Sequence, residues 1–488
     1  MSTNADLSES GPLLSEPYCE IRTRLIQEGL YRVPSPGEDS SNPALDEGNR
    51  HWRIASGPYW ITPEELAFLE SLGNHLLSFY EAANRLYLDS THGRLPSWVA
   101  GYLDRGKPEA VIEYGGMNRF KQDLPGIIRP DLIQTEKGMI ATELDSVPGG
   151  IGMTGGLVAV YASLIRKGAL IGDREGMVQG FERMIRSLSN KKDLVLAIVV
   201  SKESEAYRPE MIWLGKALRA RGLSTAVIGP EEIIFTEEGL WLNLDGKRKQ
   251  IDILYRFFEL FDLKNIPKAE LILYAAKKKR VIMTPPPKAQ LEEKNLFALF
   301  HHPVLKTFWQ RHLGEGCYAF LGTLFPKTWI IDPTVLPPHA VIPDLTLGDR
   351  PVTDFRQMGD ATQKQRRFVI KPSGFSELAW GSRGVSIGHD LSEEEWRKAI
   401  DRAMENFSRT PYLIQAFHKG KKVVVEYYDF EKECLVEMEG RVRLSPYYFV
   451  EGKKACLGGV LATVCSLEKK IIHGMVDAVM APCAVSAL

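Results

Sequence analysis

The stretch RPDLIQTEKGMIATELDSVPGG (residues 129–150) carries Arg129 and Asp131 on one β-compatible arm, and Glu143 and Asp145 on the other. Between the arms, Glu136, Lys137 and Gly138 suit a three-residue hairpin connection whose glycine takes the left-handed position. If Thr135 faces Met139, then Ile133 faces Ala141, Asp131 faces Glu143 and Arg129 faces Asp145. Side chains alternate along a strand, so all of these point to one face. Directly opposed side chains lie roughly 5 Å apart at Cβ, where like charges repel. A positive species between the three carboxylates would relieve that repulsion. A hard divalent cation, held by a few carboxylates and shared with phosphate oxygens, has the right chemistry. A solvated hairpin with an acidic face matches the same residues.

A second group of residues lies in RRFVIKPSGFSELAWGSRGVSIGHD. An apolar extended run ends at Lys371, and a loop rich in Gly and Ser follows, including Gly381, Ser382 and Gly384. A lysine beside such a loop suits a phosphate clamp, the ammonium acting as a point charge and the loop amides closing over a polyphosphate. An ordinary exposed hairpin is the alternative. It is not a Walker loop, since GxxxxGK[ST] is absent. The strand YLIQAFH, with Gln415 and Phe417, borders either an adenine slot or nothing but core. The turn GGIGMTGG after the acidic hairpin either offers backbone N–H groups to an anion or is a close-packed turn. His301 and His302 lack a third metal ligand at suitable spacing. Arg256, Arg441 and Arg443 read as isolated cations, each structural or one of them binding a substrate carboxylate or phosphate, and Trp380 as a gate or a surface aromatic.

The elements that must hold these residues can be traced along the chain. The first fifty residues, rich in Ser, Pro, Gly and acid, read as a loose arm. Thr62 with Glu65 three residues later opens a helix over ITPEELAFLESLGNHLLSFYEAANRLYLDS. From 166 to 287, strands (DLVLAIVV, LSTAVIG, DILYRFFEL, RVIMTP) alternate with helices, the pattern of a parallel α/β layer. No GxGxxG follows its first strand, so it carries no dinucleotide fingerprint. PPP at 285–287 marks a boundary, and the chain divides into 1–50, 51–165, 166–287 and 288–488. A length of 488 residues implies more than one core. With 61 basic and 62 acidic residues, there is no basic field for nucleic acid. Six cysteines without CxxC pairs argue against a disulfide framework and fit a reducing, cytoplasmic setting. No apolar run approaches the ~20 residues of a membrane span.

Taken together, these pieces resemble the ATP-grasp ligases. Arg129-Pro-Asp131, then Glu143-Leu-Asp145-Ser-Val-Pro148-Gly149, is similar to the hairpin of D-alanine–D-alanine ligase and its relatives, where Asn usually stands at the position of Asp145. Val369-Ile370-Lys371-Pro372 with its Gly-Ser loop is similar to that family's lysine strand, and Lys294 to an earlier family lysine. The hairpin here precedes the lysine strand, an order that resembles the circularly permuted branch, which includes relatives of glutathionylspermidine synthase. The resemblance implies an α/β fold of α+β elements: a circularly permuted ATP-grasp fold with an inserted Rossmann-like domain. The tail GRVRLSPYYFVEGKKACLGGVLATV would supply the strands beside the hairpin. It further implies an ADP-forming ligase that joins a small-molecule carboxylate to an amine or thiol through an acyl phosphate. In that reading Asp131, Glu143 and Asp145 hold Mg²⁺, with Mn²⁺ as the alternative. Lys294, Lys371, Gly381, Ser382, Gly384, Gln415 and Phe417 bind ATP, and Arg129 is catalytic. A non-catalytic nucleotide-binding descendant and an ATP-dependent phosphotransferase are the rival readings. Neither nucleic acid nor membrane is an expected partner.

Overall fold

The computed structural model describes residues 16–32, 52–163, 169–379, 384–469, 472 and 477–486. Within the expected loose arm, Glu16–Gln27 is a helix. Ile21 and Leu25, four residues apart on one face, are buried in it, so packing rather than composition decides this segment. The Thr62 signal is correct. Its hydroxyl accepts from Glu65 N–H at 3.2 Å, Glu65 Oε2 accepts from Thr62 N–H at 3.0 Å, and the helix Pro63–Thr91 follows.

The largest sheet has nine strands. Its main path runs Arg53–Ile54, Val479–Val485, Lys454–Ser466, Cys434–Glu451, Ile127–Thr135 and Gly138–Asp145. The last two are the acidic hairpin, and the long strand Cys434–Glu451 lies antiparallel beside it, pairing Arg443 with Ile133 and Leu444 with Leu132. The tail strands thus stand where the resemblance placed them.

The alternating strands between 166 and 287 form a four-stranded parallel sheet in the order Ile282–Thr284, Ile253–Phe257, Val195–Val200, Ser224–Ile228. A three-stranded antiparallel sheet, Ile234–Thr236, Gly239–Leu244 and Lys247–Gln250, was not anticipated. Its second turn is Asp245-Gly246, both at positive φ (52° and 74°), the chemistry a tight hairpin needs.

The lysine strand Phe368–Pro372 belongs to a four-stranded antiparallel sheet with Thr328–Ile330, Tyr412–Ala416 and Ser386–Ile387. The helix Glu393–Glu405 covers one face, burying Trp396 and Ile400 against Ile370 and Ile414. That leaves Val369 and Lys371, which alternate with Ile370, on the opposite face.

Candidate active site

The hairpin reaches the expected register by a different route. Arg129 pairs with Asp145 and Asp131 with Glu143, as the alternation requires, but Thr135 pairs with Gly138 rather than Met139. The loop is therefore two residues, Glu136 and Lys137. The extra residue sits further along, where the pairing jumps from Leu132–Ala141 to Asp131–Glu143 and leaves Thr142 as a bulge. A bulged residue has a carbonyl without a ladder partner. Lys371 supplies one: its Nζ donates to Thr142 O at 2.6 Å. The lysine strand is thus docked onto the hairpin at its irregular point.

Lys371 is buried, and that burial pushes its amine down to about 8, with Lys294 adding to the shift and Glu143 and Asp131 opposing it. Lys294 lies next to it. Its Nζ is 2.8 Å from Glu143 Oε1 and donates to Ala379 O at 3.0 Å, so one ammonium joins the hairpin to the loop that follows Lys371. Two ammonium groups and one carboxylate from separate segments therefore meet in one cleft.

The neighbouring Glu293 faces the other way. Its carboxylate takes the Ser373 hydroxyl and the N–H groups of Gly374 (3.1 Å) and Phe375 (3.2 Å), and pairs with Lys107. Gly374 must be glycine here, because a Cβ would fall 1.9 Å from Glu292 O. The start of the Gly-Ser loop is thus fixed to the segment that carries Lys294. Gly384, at the loop's far end, returns its N–H to Leu378 O at 3.0 Å. Trp380, Gly381 and Ser382 lie outside the described residues.

The three carboxylates are not equivalent. Asp131 is buried, and both its oxygens are taken: Oδ2 by Arg443 at 3.1 Å, Oδ1 by the Ser445 hydroxyl at 3.2 Å and by Arg129 Nε at 3.4 Å. Burial works against its charge, but Arg129 and Arg443 outweigh it and hold the carboxyl below the usual range. Asp145 meets Arg129 at 3.1 Å and caps Val147 N–H at 2.9 Å, yet burial, with help from Glu143, pushes its carboxyl up. Glu143 is the open one, with its side chain 36% exposed. Arg129 itself bridges Asp131 and Asp145 and donates to Gly149 O at 3.3 Å. Burial opposes its charge, and the two aspartates overcome that and hold it fully ionised.

Among the described residues no three His, Cys, Asp or Glu side chains converge as a ready metal cage. The donor chemistry divides the set. Glu143 and Asp145 suit a divalent cation, being carboxylates two positions apart on one strand face, with the Glu143 side chain partly open to solvent. Asp131, the third expected ligand, anchors Arg443, Ser445 and Arg129 in this structure, so a cation there would share it with those groups. Arg443 and Ser445 were missed as site residues, because each lies more than 300 positions from Asp131 (312 and 314).

The turn after Asp145 is held from two sides. Tyr447 Oη and Arg129 donate to Gly149 O, while Gly150, at φ 88°, starts the helix Ile151–Tyr161. The anion-binding N–H groups of that helix are already occupied. Glu210 accepts from Gly150 N–H at 2.7 Å and from Met153 N–H at 3.1 Å. Burial pushes its carboxyl up to about 7 against those bonds. A second buried group reaches the site from the parallel sheet. Arg256, fully buried, pairs with Glu292 and lies near Glu259, two acids that burial pushes up, Glu259 further by the Glu292 charge and Glu292 by Asp145 and Glu293.

Of the remaining candidates, Gln415 shares a sheet face with Lys371, paired with Val369, and donates to Thr328 Oγ1 at 3.0 Å. Phe417 lies past the strand end and packs edge-on against His389 at 4.5 Å. His301 bonds to Phe325 O at 3.0 Å, as a helix-end histidine does.

No protein-family model and no curated protein matches the chain. Solved structures do. A glutathione synthetase-like effector (GSS30) from Globodera pallida, in its apo form, aligns over 99% of this chain and 100% of its own, with TM-score 0.58 and 11% identity. The chain shares that protein's fold. A putative gamma-glutamylcysteine synthetase from Methylobacillus flagellatus KT aligns over 86% of this chain and 85% of its own, with TM-score 0.41 and 12% identity. No helix of the described residues is long and apolar enough to cross a membrane.

Proposed function

We propose that this chain is an ATP-dependent, ADP-forming ligase with a circularly permuted ATP-grasp architecture, joining a carboxylate to an amine or thiol through an acyl phosphate. The observation that carries the reading is the meeting of Lys371, Lys294 and Glu143, from a lysine strand, a helix start and a hairpin far apart in sequence. The fold shared with a glutathione synthetase-like effector supports it. The parallel sheet is, in this reading, an inserted Rossmann-like unit bounded near 166 and 287.

The residues divide the work. Lys371 and Lys294 exchange Thr142 O, Ala379 O and Glu143 for the polyphosphate, a point-charge role suited to ammonium. Glu143 and Asp145 would hold Mg²⁺, which when bound screens the phosphate charge. Arg129, fixed on both sides by Asp131 and Asp145, faces the transferring group with a rigid fork. The loop from Ser373, fixed at its root by Glu293, closes over the site and excludes water from the hydrolysable acyl phosphate. Gln415 and Val369 line the base side of the cleft.

Thermal unfolding with and without MgATP tests this. A ligand at ~100 times its dissociation constant adds about 2.7 kcal/mol. Wild type should gain, Lys371→Met and Glu143→Gln should lose most of the gain, and phosphate release should appear with a suitable carboxylate and amine. Equal responses from all three proteins would remove the reading.

A further inference from the structure

Outside the lysine–carboxylate cleft, a cavity of about 280 Å³ opens at the free edge of the strand Thr328–Ile330. None of the lysines or carboxylates described above lines it. Its size is near the lower end for small-molecule sites, roughly 300 Å³. The walls are apolar: Ile330 and Ala298 on one side, Leu336, Ile342 and Phe355 on the other.

The charged groups at its rim are already matched. Asp344 pairs with Lys327 at 2.9 Å, and Asp332 accepts from Tyr102 Oη at 2.6 Å and Thr334 N–H at 2.8 Å. His301 is neutral near pH 7, since burial and then the Lys327 charge push it down to about 4. Asp354 pairs with Arg356 at 2.8 Å, and Asp332, which has no cation among the described residues, has one donor on each oxygen, so the rim favours a neutral ligand.

What is free is backbone. Ile331 N–H donates to Tyr412 O at 2.9 Å, and Lys327 O accepts from Ala416 N–H at 2.8 Å, so these alternate residues face the neighbouring strand. In an antiparallel ladder the residues between them turn their N–H and C=O the other way. Thr328 C=O and Ile330 N–H therefore stand side by side at the sheet's open edge, toward the cavity. His302 adds a buried Nδ1 without a partner.

We propose that this cavity is a second ligand site, taking a neutral, flat bicyclic heteroaromatic group that offers an adjacent donor and acceptor to the Thr328–Ile330 edge. Apolar walls on both sides select the flat body, and the edge backbone reads its rim. The site is independent of the nucleotide reading.

The test uses the full chain and 7-azaindole, which carries a ring N–H beside a ring nitrogen acceptor, with indole, which lacks the acceptor, as comparator. Saturation-transfer NMR should give a dissociation constant of roughly 0.1–1 mM for so small a probe. Indole should bind about fivefold more weakly, the worth of one neutral hydrogen bond. Ile330→Pro removes the outward N–H while leaving the ladder intact, as edge prolines do, and should weaken 7-azaindole similarly. Ala298→Leu should fill the cavity and abolish binding with folding checked by its melting curve. Should Ile330→Pro fail to fold, the indole comparison and Ala298→Leu still decide. Lys371→Met and added MgATP should leave binding unchanged. No binding to wild type, equal affinity for the two probes, binding unaffected by Ala298→Leu, or displacement by MgATP would each overturn the proposal.

Discussion

Lys371→Met should change how stability depends on pH, and the amount can be worked from the site. The wild-type amine is 6% exposed and pushed by burial from 10.5 to about 8. A base depressed in this way binds a proton less readily folded than unfolded. Its contribution to stability is therefore whole above about 10.5 and is lost as pH falls through about 8. The full shift corresponds to about 3 kcal/mol, of which about 2 kcal/mol falls between pH 7 and 9.5. Methionine keeps the apolar stem and removes the titration. Urea unfolding followed by circular dichroism at both pH values, taken as wild type minus variant, cancels the groups the two proteins share. Wild type should gain about 2 kcal/mol more than the variant on going to pH 9.5. Identical pH dependence would mean that the amine is solvated, and the docking of Lys371 on Thr142 O would be refuted.

Glu210→Gln should act with the opposite sign. The wild-type carboxyl is raised from 4.5 to about 7, so its contribution is whole below 4.5 and lost as pH rises through about 7, and the glutamine variant should lack that decline in the same unfolding series. Arg443→Met should cost about 3 kcal/mol in urea unfolding by leaving Asp131 under-paired, and adding Asp131→Leu should recover most of it. A smaller loss in the double variant than in the single one is the expected signature. Glu143→Gln should lower kcat for phosphate release about 10²–10³-fold with the melting temperature of the unliganded protein nearly unchanged.

The hairpin was legible because strand parity is local. A three-residue loop and a two-residue loop with a bulge both insert one residue, so either brings Asp131 opposite Glu143. Parity cannot tell where the extra residue sits, and the Thr142 carbonyl that Lys371 takes was invisible for that reason. The pairing of Asp131 could not be read, because Arg443 arrives from a strand more than 300 residues later. Glu210 likewise fills the glycine-rich turn from a helix 60 residues away. Asp245-Gly246 carried an ordinary hairpin signature that an apolar reading of the region passed over. The helix at Glu16–Gln27 shows the converse error, composition outweighing a short apolar spacing.

The contact between Asp131 and Arg443 spans 312 positions of the chain. At roughly 5–20 residues per second, a ribosome needs roughly 15 to 60 s to travel from one to the other. Throughout that interval the nascent hairpin has its arginine and acids but not the strand that neutralises Asp131, and for most of it not the lysine that docks on Thr142 either. Chains released early, or clipped before residue 443, hold an acidic hairpin with an unfilled edge and no working centre. Such fragments would be open to pairing with other strands or to capture by chaperones, and quality control would meet this protein as all or nothing.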